Sequence, residues 1–429
     1  MRSSVKSVMC GVALACGLLG ATSAWAATAC SDKIGESAAQ TQVLSNGFGF
    51  NVANTRNQTS DISADNVATL TLALTHVAAG SKEKRGTPAV TQQVVYASEA
   101  RELVAFNRAS GCEYWRFAAA DRSSLLLGNN IIRQSSIQYL PAQGTQPPLV
   151  LAGDAYANMY AVDARTGKKV WSAFVGVDTA YSWVTGSPVI FEGTMYLPIA
   201  SKEVVTTVLN VLTPCCKSHG ALQALDPYTG KIKWTYHTVT NASYDAKTGF
   251  YGPAGMSLWG TPAIDAANRA VIIGTGQNLS LPTTTNEDSI ISLDLATGKV
   301  RWVFQAQAND SWNGACEAPA YLGLSGRCAP KQGRDLDFGA PPIVVNLPGG
   351  KPAILAGGKN GVAYALEPKT GAVIWSQQLG AGGKLGGIHW GMAVDATRVY
   401  AAVTDLDAGK AVVPVAGATP GIYALDLLT

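Results

Sequence analysis

Charge is scarce in this chain of 429 residues, of which only 14% are Asp, Glu, Lys or Arg. A disordered chain needs far more, and no run of Lys or Arg offers a surface for nucleic acid. The formal net charge is +3, which falls to about +1 once the segment carrying Arg2 and Lys6 is removed. Histidine is rarer still: His76, His219, His237 and His389 are scattered, which speaks against a histidine metal centre. There is no Cys-x-x-Cys-His, and so no covalently attached c-type haem. His-Glu-x-x-His, a phosphate loop and Gly-x-Gly-x-x-Gly are also missing. Beyond the N-terminus no apolar run is long enough to span a bilayer. Apolar residues, by contrast, make up 47%, with 45 Gly and 20 Pro, a composition that suits many short strands joined by turns.

Residues 1–26 read as a secretory signal: Arg2 and Lys6 form a basic start, Val8 to Leu19 an apolar centre, and Ala24-Trp25-Ala26 a small-x-small cleavage site. The mature chain, from residue 27, is therefore expected in the periplasm or outside the cell, with no membrane span. It keeps six cysteines, an even number that in an exported chain suggests disulfides. Fifteen connectivities exist for six cysteines. The pairing we expect is Cys30–Cys112, Cys215–Cys216 and Cys316–Cys328.

The chain repeats one hairpin. Tyr160-Ala-Val-Asp-Ala-Arg-Thr-Gly-Lys-Lys-Val-Trp171 returns at Leu222–Trp234, Ile291–Trp302 and Tyr364–Trp375, with a weaker copy at Leu103–Trp115. In every copy an apolar strand runs into Asp, Asn or Glu, then a Thr/Ser-Gly turn, and Trp follows four residues after Gly. Glycine supplies positive φ at the turn, and the acid or amide can bond nearby backbone. The Trp-to-Trp intervals of 56, 63, 68 and 73 residues suit four-stranded propeller blades with long loops. The expected fold is thus all-β: a β-propeller of four-stranded blades over residues 27–429, with about six blades visible. The first blade is expected to use Thr71–Val77, Ala89–Ser98, Leu103–Asn107 and Glu113–Phe117. Ser201–Gly220 reads as a long insertion in the third. A sixth copy, from Tyr423, stops at Thr429 before its Gly and Trp, so the propeller is expected to be incomplete.

The loops between the repeats carry a family resemblance. Ser201-Lys-Glu203, Pro214-Cys-Cys216 and His219–Asp226 resemble pyrroloquinoline-quinone (PQQ) alcohol dehydrogenases, most of all the polyvinyl-alcohol dehydrogenase type. Further matching stretches are Leu258–Asp265, Gly274–Ser280, Asn309–Cys316, Asp335–Pro342, Gly357–Tyr364 and Gly386–Gly391. The resemblance runs from about Asn46 to the end. It implies an eight-bladed propeller holding PQQ and Ca²⁺ near its axis, and oxidation of an alcohol to a carbonyl. On that resemblance Glu203 and Asn278 (or Gln277) would be Ca²⁺ ligands, Asp310 the catalytic base and also a contact of the metal, and Lys359 the cation beside the quinone oxygens. Trp259 would be the indole on which the cofactor stacks. Trp390 and Arg133 are candidates for packing and for a cofactor carboxylate. The Cys215–Cys216 pair is similar to one that methanol-dehydrogenase-type relatives use against the cofactor, though there it stands in an earlier blade. The polyvinyl-alcohol type usually begins with a haem c domain that this chain does not show, so the implied electron acceptor is a separate protein such as a cytochrome c. Two other readings use the same repeat: a non-catalytic propeller scaffold of the outer-membrane assembly type, and a degenerate quinoprotein.

Overall fold

The computed structural model describes residues 28–76, 86–99, 101–119, 135–207, 214–317, 328, 331–408 and 412–428. The expected signal segment lies outside them, as do Arg133 and part of the Ser201–Gly220 insertion.

Each Thr-Gly turn closes as its chemistry requires. The amides of Gly167, Gly230, Gly298 and Gly371 donate to the carbonyls of Asp163, Asp226, Asp294 and Glu367 at 2.8–2.9 Å. All four glycines have φ near +70°, a region costly for any residue with a Cβ. The acid side chain accepts a second backbone amide, as in Arg165 N to Asp163 Oδ1 at 2.8 Å and Tyr228 N to Asp226 Oδ1 at 2.9 Å.

Among the described residues these hairpins and the Tyr423 copy lie in six antiparallel sheets of three or more strands, in chain order, beside three two-stranded ones. The second consists of Gln138–Leu140, Leu149–Gly153, Asn158–Asp163 and Lys169–Phe174. The third holds Val189–Phe191, Thr194–Ser201, Ala221–Leu225 and Ile232–His237, and the fourth Ala263–Asp265, Ala270–Gly274, Ser289–Asp294 and Val300–Gln305. The fifth runs from Ile343–Asn346 through Pro352–Gly357 and Val362–Leu366 to Val373–Gln378. In the sixth, Met392–Val394, Arg398–Val403 and Gly421–Asp426 are paired.

The first sheet departs from expectation. Residues 71–76 form no strand, and Leu72 is 82% exposed. The predicted strand Ala89–Ser98 instead turns at Gln92-Gln93 into two, Ala89–Thr91 and Val94–Glu99. With Glu102–Asn107 and Glu113–Ala118 these already make four strands, and Val43–Ser45 takes the remaining inner edge.

Strand alternation assigns each side chain to one of two interfaces. Val150, Ala152, Tyr160 and Val162 pack against the first sheet, while Leu149, Leu151, Met159 and Ala161 pack against the third. The same division recurs between the third and fourth, fourth and fifth, and fifth and sixth sheets. Burial on both faces explains why these strands read as continuous apolar runs.

The repeat tryptophans fasten each sheet to the next. The Nε1 atoms of Trp115, Trp171, Trp234, Trp302 and Trp375 donate to the carbonyls of Ala164, Pro227, Leu295, Pro368 and Leu427 at 2.8–3.1 Å. Each acceptor directly follows the acidic residue of the next copy. The lead-in before the first repeat, residues 46–56, holds the sheets from inside. Val52, Ala53 and Thr55 accept from Ile264, Val344 and Val394 of the fourth, fifth and sixth sheets, and Asn46 brackets Tyr139 of the second. The Nδ2 atom of buried Asn54 donates to Thr261, Pro262 and Pro342 carbonyls at 3.0–3.3 Å.

Candidate functional site

Where the loops entering the third to sixth sheets converge there is a cavity of about 280 Å³. Its wall includes Trp259, Gln277, Trp312, Asp335, Asp337 and Lys359, and Phe48 of the lead-in also faces it.

Trp259 arrives just before the fourth sheet. Gly339 lies so close under its ring that a Cβ there would collide with the indole. The Nε1 atom donates to Asp337 Oδ2 at 2.7 Å, which holds the ring in plane. His389 and Trp390 pack on it at 5.5 Å between ring centroids, and Trp390 is 46% exposed.

Lys359, at the turn after Pro352–Gly357, is 5% exposed. Its Nζ donates to Asp335 Oδ1 at 3.1 Å and Asp337 Oδ1 at 3.2 Å and lies 5.5 Å from the Trp259 ring centroid. Burial alone would lower the pKa of this ammonium, but the two carboxylates outweigh it and hold the group charged, its pKa above the ordinary lysine value. Burial would likewise raise Asp337, yet the Lys359 charge and the hydrogen bonds keep its pKa below the usual carboxylate value. Asp335 goes the other way, pushed well above that value by burial and the neighbouring Asp337 despite Lys359.

Asp310 is buried and does not line the cavity. Its carboxylate accepts the amides of Asp335 at 3.1 Å and Leu336 at 2.8 Å, and so anchors the irregular stretch that carries Asp335 and Asp337. Its carbonyl accepts the Asn278 amide at 3.0 Å. Of the predicted pair, Gln277 faces the cavity, with Nε2 donating to Trp312 O at 3.1 Å. Asn278 is fully buried, and neither side-chain atom has a hydrogen-bond partner.

Glu203 opens the one-turn helix Glu203–Thr206 and is buried. One oxygen accepts from Lys217 N, Ser218 N and Ser218 Oγ at 2.6–2.9 Å. Burial raises its pKa and these bonds partly offset the rise. All three expected disulfides are formed. Cys215 and Cys216 pack with Phe250, Ala254 and Leu279, beside Glu203, and do not face the cavity.

The cavity therefore unites Trp259, Lys359, Gln277 and Trp390, while Asp310, Asn278, Glu203 and the cysteine pair stand behind or beside it. Sequence reasoning missed Asp335 and Asp337. Their only signal was their place in the matching stretch Asp335–Pro342; Asp335 has φ +61°, a left-handed turn of the backbone that no strand pattern predicts. It also missed Asp288, fully buried with neither carboxylate oxygen hydrogen-bonded. Burial, then Asp310 and Asp337, pushes the Asp288 pKa well up.

Sheets packed face to face in chain order, with an aromatic-walled cavity where their loops meet, define a β-propeller. Residues 49–324 match the family of the PQQ glucose/ethanol/alcohol dehydrogenase β-propeller domain. The chain belongs to that family. It is 32% identical over 392 residues to a polyvinylalcohol dehydrogenase of Pseudomonas sp, covering 89% of this chain and 57% of the relative. The polyvinylalcohol dehydrogenase of Sphingopyxis sp. (strain 113P3) is 34% identical, with 82% and 52% covered. The chain thus spans about half the length of these relatives. Among solved structures, the quinohemoprotein alcohol dehydrogenase of Comamonas testosteroni superposes with TM-score 0.64 at 21% identity, over 85% of this chain and 58% of that one. At such identity the likeness speaks for the fold.

Proposed function

We propose that this chain is the propeller of an exported, PQQ-dependent alcohol dehydrogenase that oxidises a hydroxyl to a carbonyl, with polyvinyl alcohol or another secondary alcohol as substrate. The observation that carries the reading is the cavity beside Trp259, whose indole is held flat by Asp337 and Gly339 with a buried ammonium across its face.

The residues present fit the implied groups. A planar aromatic cofactor suits a slot walled by an immobilised indole, and Lys359 places positive charge where a quinone's oxygens gain electron density. Ca²⁺ requires oxygen donors, and the buried, unpartnered side chain of Asn278 is a polar group in want of a partner. Glu203, Asn278 (or Gln277) and Asp310 are the residues that would hold the ion. Bound there, PQQ would supply a two-electron acceptor for hydride from the alcohol carbon. Asp310, which stands behind the cavity wall, would take the hydroxyl proton on its carboxylate, which has lone pairs beyond the two that accept backbone amides. The electrons would then pass to an acceptor such as a cytochrome c.

Reconstitution tests this directly. The folded chain is titrated with PQQ and Ca²⁺, and dye reduction is then followed with primary alcohols, secondary alcohols and polyvinyl alcohol. Binding followed by turnover is expected, and absence of cofactor binding by the folded full-length chain overturns the proposal. Asp310→Asn is expected to bind PQQ but lose turnover by about 10²–10⁴-fold; full activity would refute its role as base.

A further inference from the structure

We infer that Asp337 is the positioning residue of this cavity, setting the plane of the Trp259 indole and the location of the Lys359 ammonium with one carboxylate. The inference rests on the reading of the cavity as the cofactor site.

Both oxygens of Asp337 are committed, each to a different element of the site. Oδ2 accepts Trp259 Nε1 at 2.7 Å, and Oδ1 accepts Lys359 Nζ at 3.2 Å. The main chain adds a third contact, since Lys359 N donates to Asp337 O at 3.0 Å. The residue is itself fixed from both sides: Phe338 N donates to Thr275 O at 3.1 Å, and Gly276 approaches its side chain so closely that a Cβ there would lie 3.1 Å from Oδ2. At 4% exposure the carboxylate has little water to turn to.

Asp335 makes the comparison informative. It faces the same cavity and the same ammonium, at 3.1 Å, yet it is not the acceptor of the indole. Two carboxylates therefore share the charge of Lys359, while Asp337 carries the orientation of the ring. An ionised acceptor is suited to this task because it only accepts, and so matches two donors at once. An amide in its place must turn its NH₂ toward one of them.

The test compares Asp337→Asn with Asp335→Asn, using one readout that needs no cofactor. In the cofactor-free chain, the emission assigned to Trp259 by difference against Trp259→Phe is measured for acrylamide quenching and anisotropy. Asp337→Asn is expected to raise the quenching constant at least about twofold and lower the anisotropy, with Asp335→Asn close to wild type. In the reconstituted protein, Asp337→Asn is expected to raise the PQQ Kd about tenfold or more and lower kcat with little change in alcohol KM, because a misplaced cofactor presents its reacting carbon poorly. If the Trp259 signal is unchanged in Asp337→Asn, or changes equally in Asp335→Asn, the inference is overturned. Should Asp337→Asn not fold, Trp259→Phe removes the same hydrogen bond from the other partner, and an unaltered PQQ Kd in that variant overturns it. If wild type binds no PQQ while the quenching difference holds, the cofactor reading fails and the positioning role stands.

Discussion

His219 and His237 face each other with Nε2 and Nδ1 2.9 Å apart, a distance at which two imidazolium rings repel. Burial, and then the His237 charge, lower the His219 pKa to about 4. Between about 4 and the ordinary 6.5 the unfolded chain binds the proton that the folded chain refuses, so stability rises with pH across that window and is lost as pH falls through it. His219→Gln is expected to flatten the pH dependence of the unfolding free energy, measured in urea, between pH 4 and 6.5 while leaving the value at pH 8 within about 1 kcal/mol of wild type. An unaltered slope would show that His219 is not the group titrating. At this scale legibility was uneven. Trp259 and Lys359 were recognisable from the motifs around them, but a motif assigns residue type and order, not which face of the chain a side chain occupies. That Gln277 and not Asn278 faces the cavity turned on that, as did the separation of Cys215–Cys216 from it.

Among the elements, the repeat hairpin carries the strongest local information. Its glycine does two things: it takes positive φ, and it leaves room for the tryptophan of the preceding copy. A Cβ on Gly371, at φ +73°, would lie 2.5 Å from the indole of Trp302. Gly371→Ala is therefore expected to cost about 2–4 kcal/mol, backbone strain and collision together, read from the urea midpoint. Trp302→Phe, which loses only the bond to Pro368 O at 2.8 Å and some packing, should cost about 1–3 kcal/mol. A Gly371→Ala cost below that of an exposed-loop alanine would mean the turn has adjusted. The misplaced first strand has an equally local cause. Residues 71–77 alternate as a strand should, but strand pattern says nothing about whether an edge is vacant, and Val43–Ser45 had filled it.

For the whole molecule, the lead-in segment Asn46–Arg56 is the tie that no repeat encodes. Asn54, with φ +59°, gives its amide to carbonyls entering two different sheets. Asn54→Ala leaves those carbonyls without their donor and strains the backbone. A loss of about 2–4 kcal/mol is expected, with Asn54→Gly milder because it relieves the φ; equal costs would show that strain plays no part. Since Phe48 of the same segment faces the cavity, weaker cofactor binding should accompany the loss. By itself, the sequence determined the repeating hairpin and the order of its copies, because these are written in short-range spacing, Gly to Trp and acid to Gly, while the loop motifs between the copies carried the family resemblance. Tertiary structure alone decided which carboxylates meet Lys359 and Trp259, and that the irregular N-terminal segment crosses the inner edges of five sheets. Those contacts join residues up to several hundred positions apart, and their geometry comes from how the sheets close around one another, which no local pattern of side chains records.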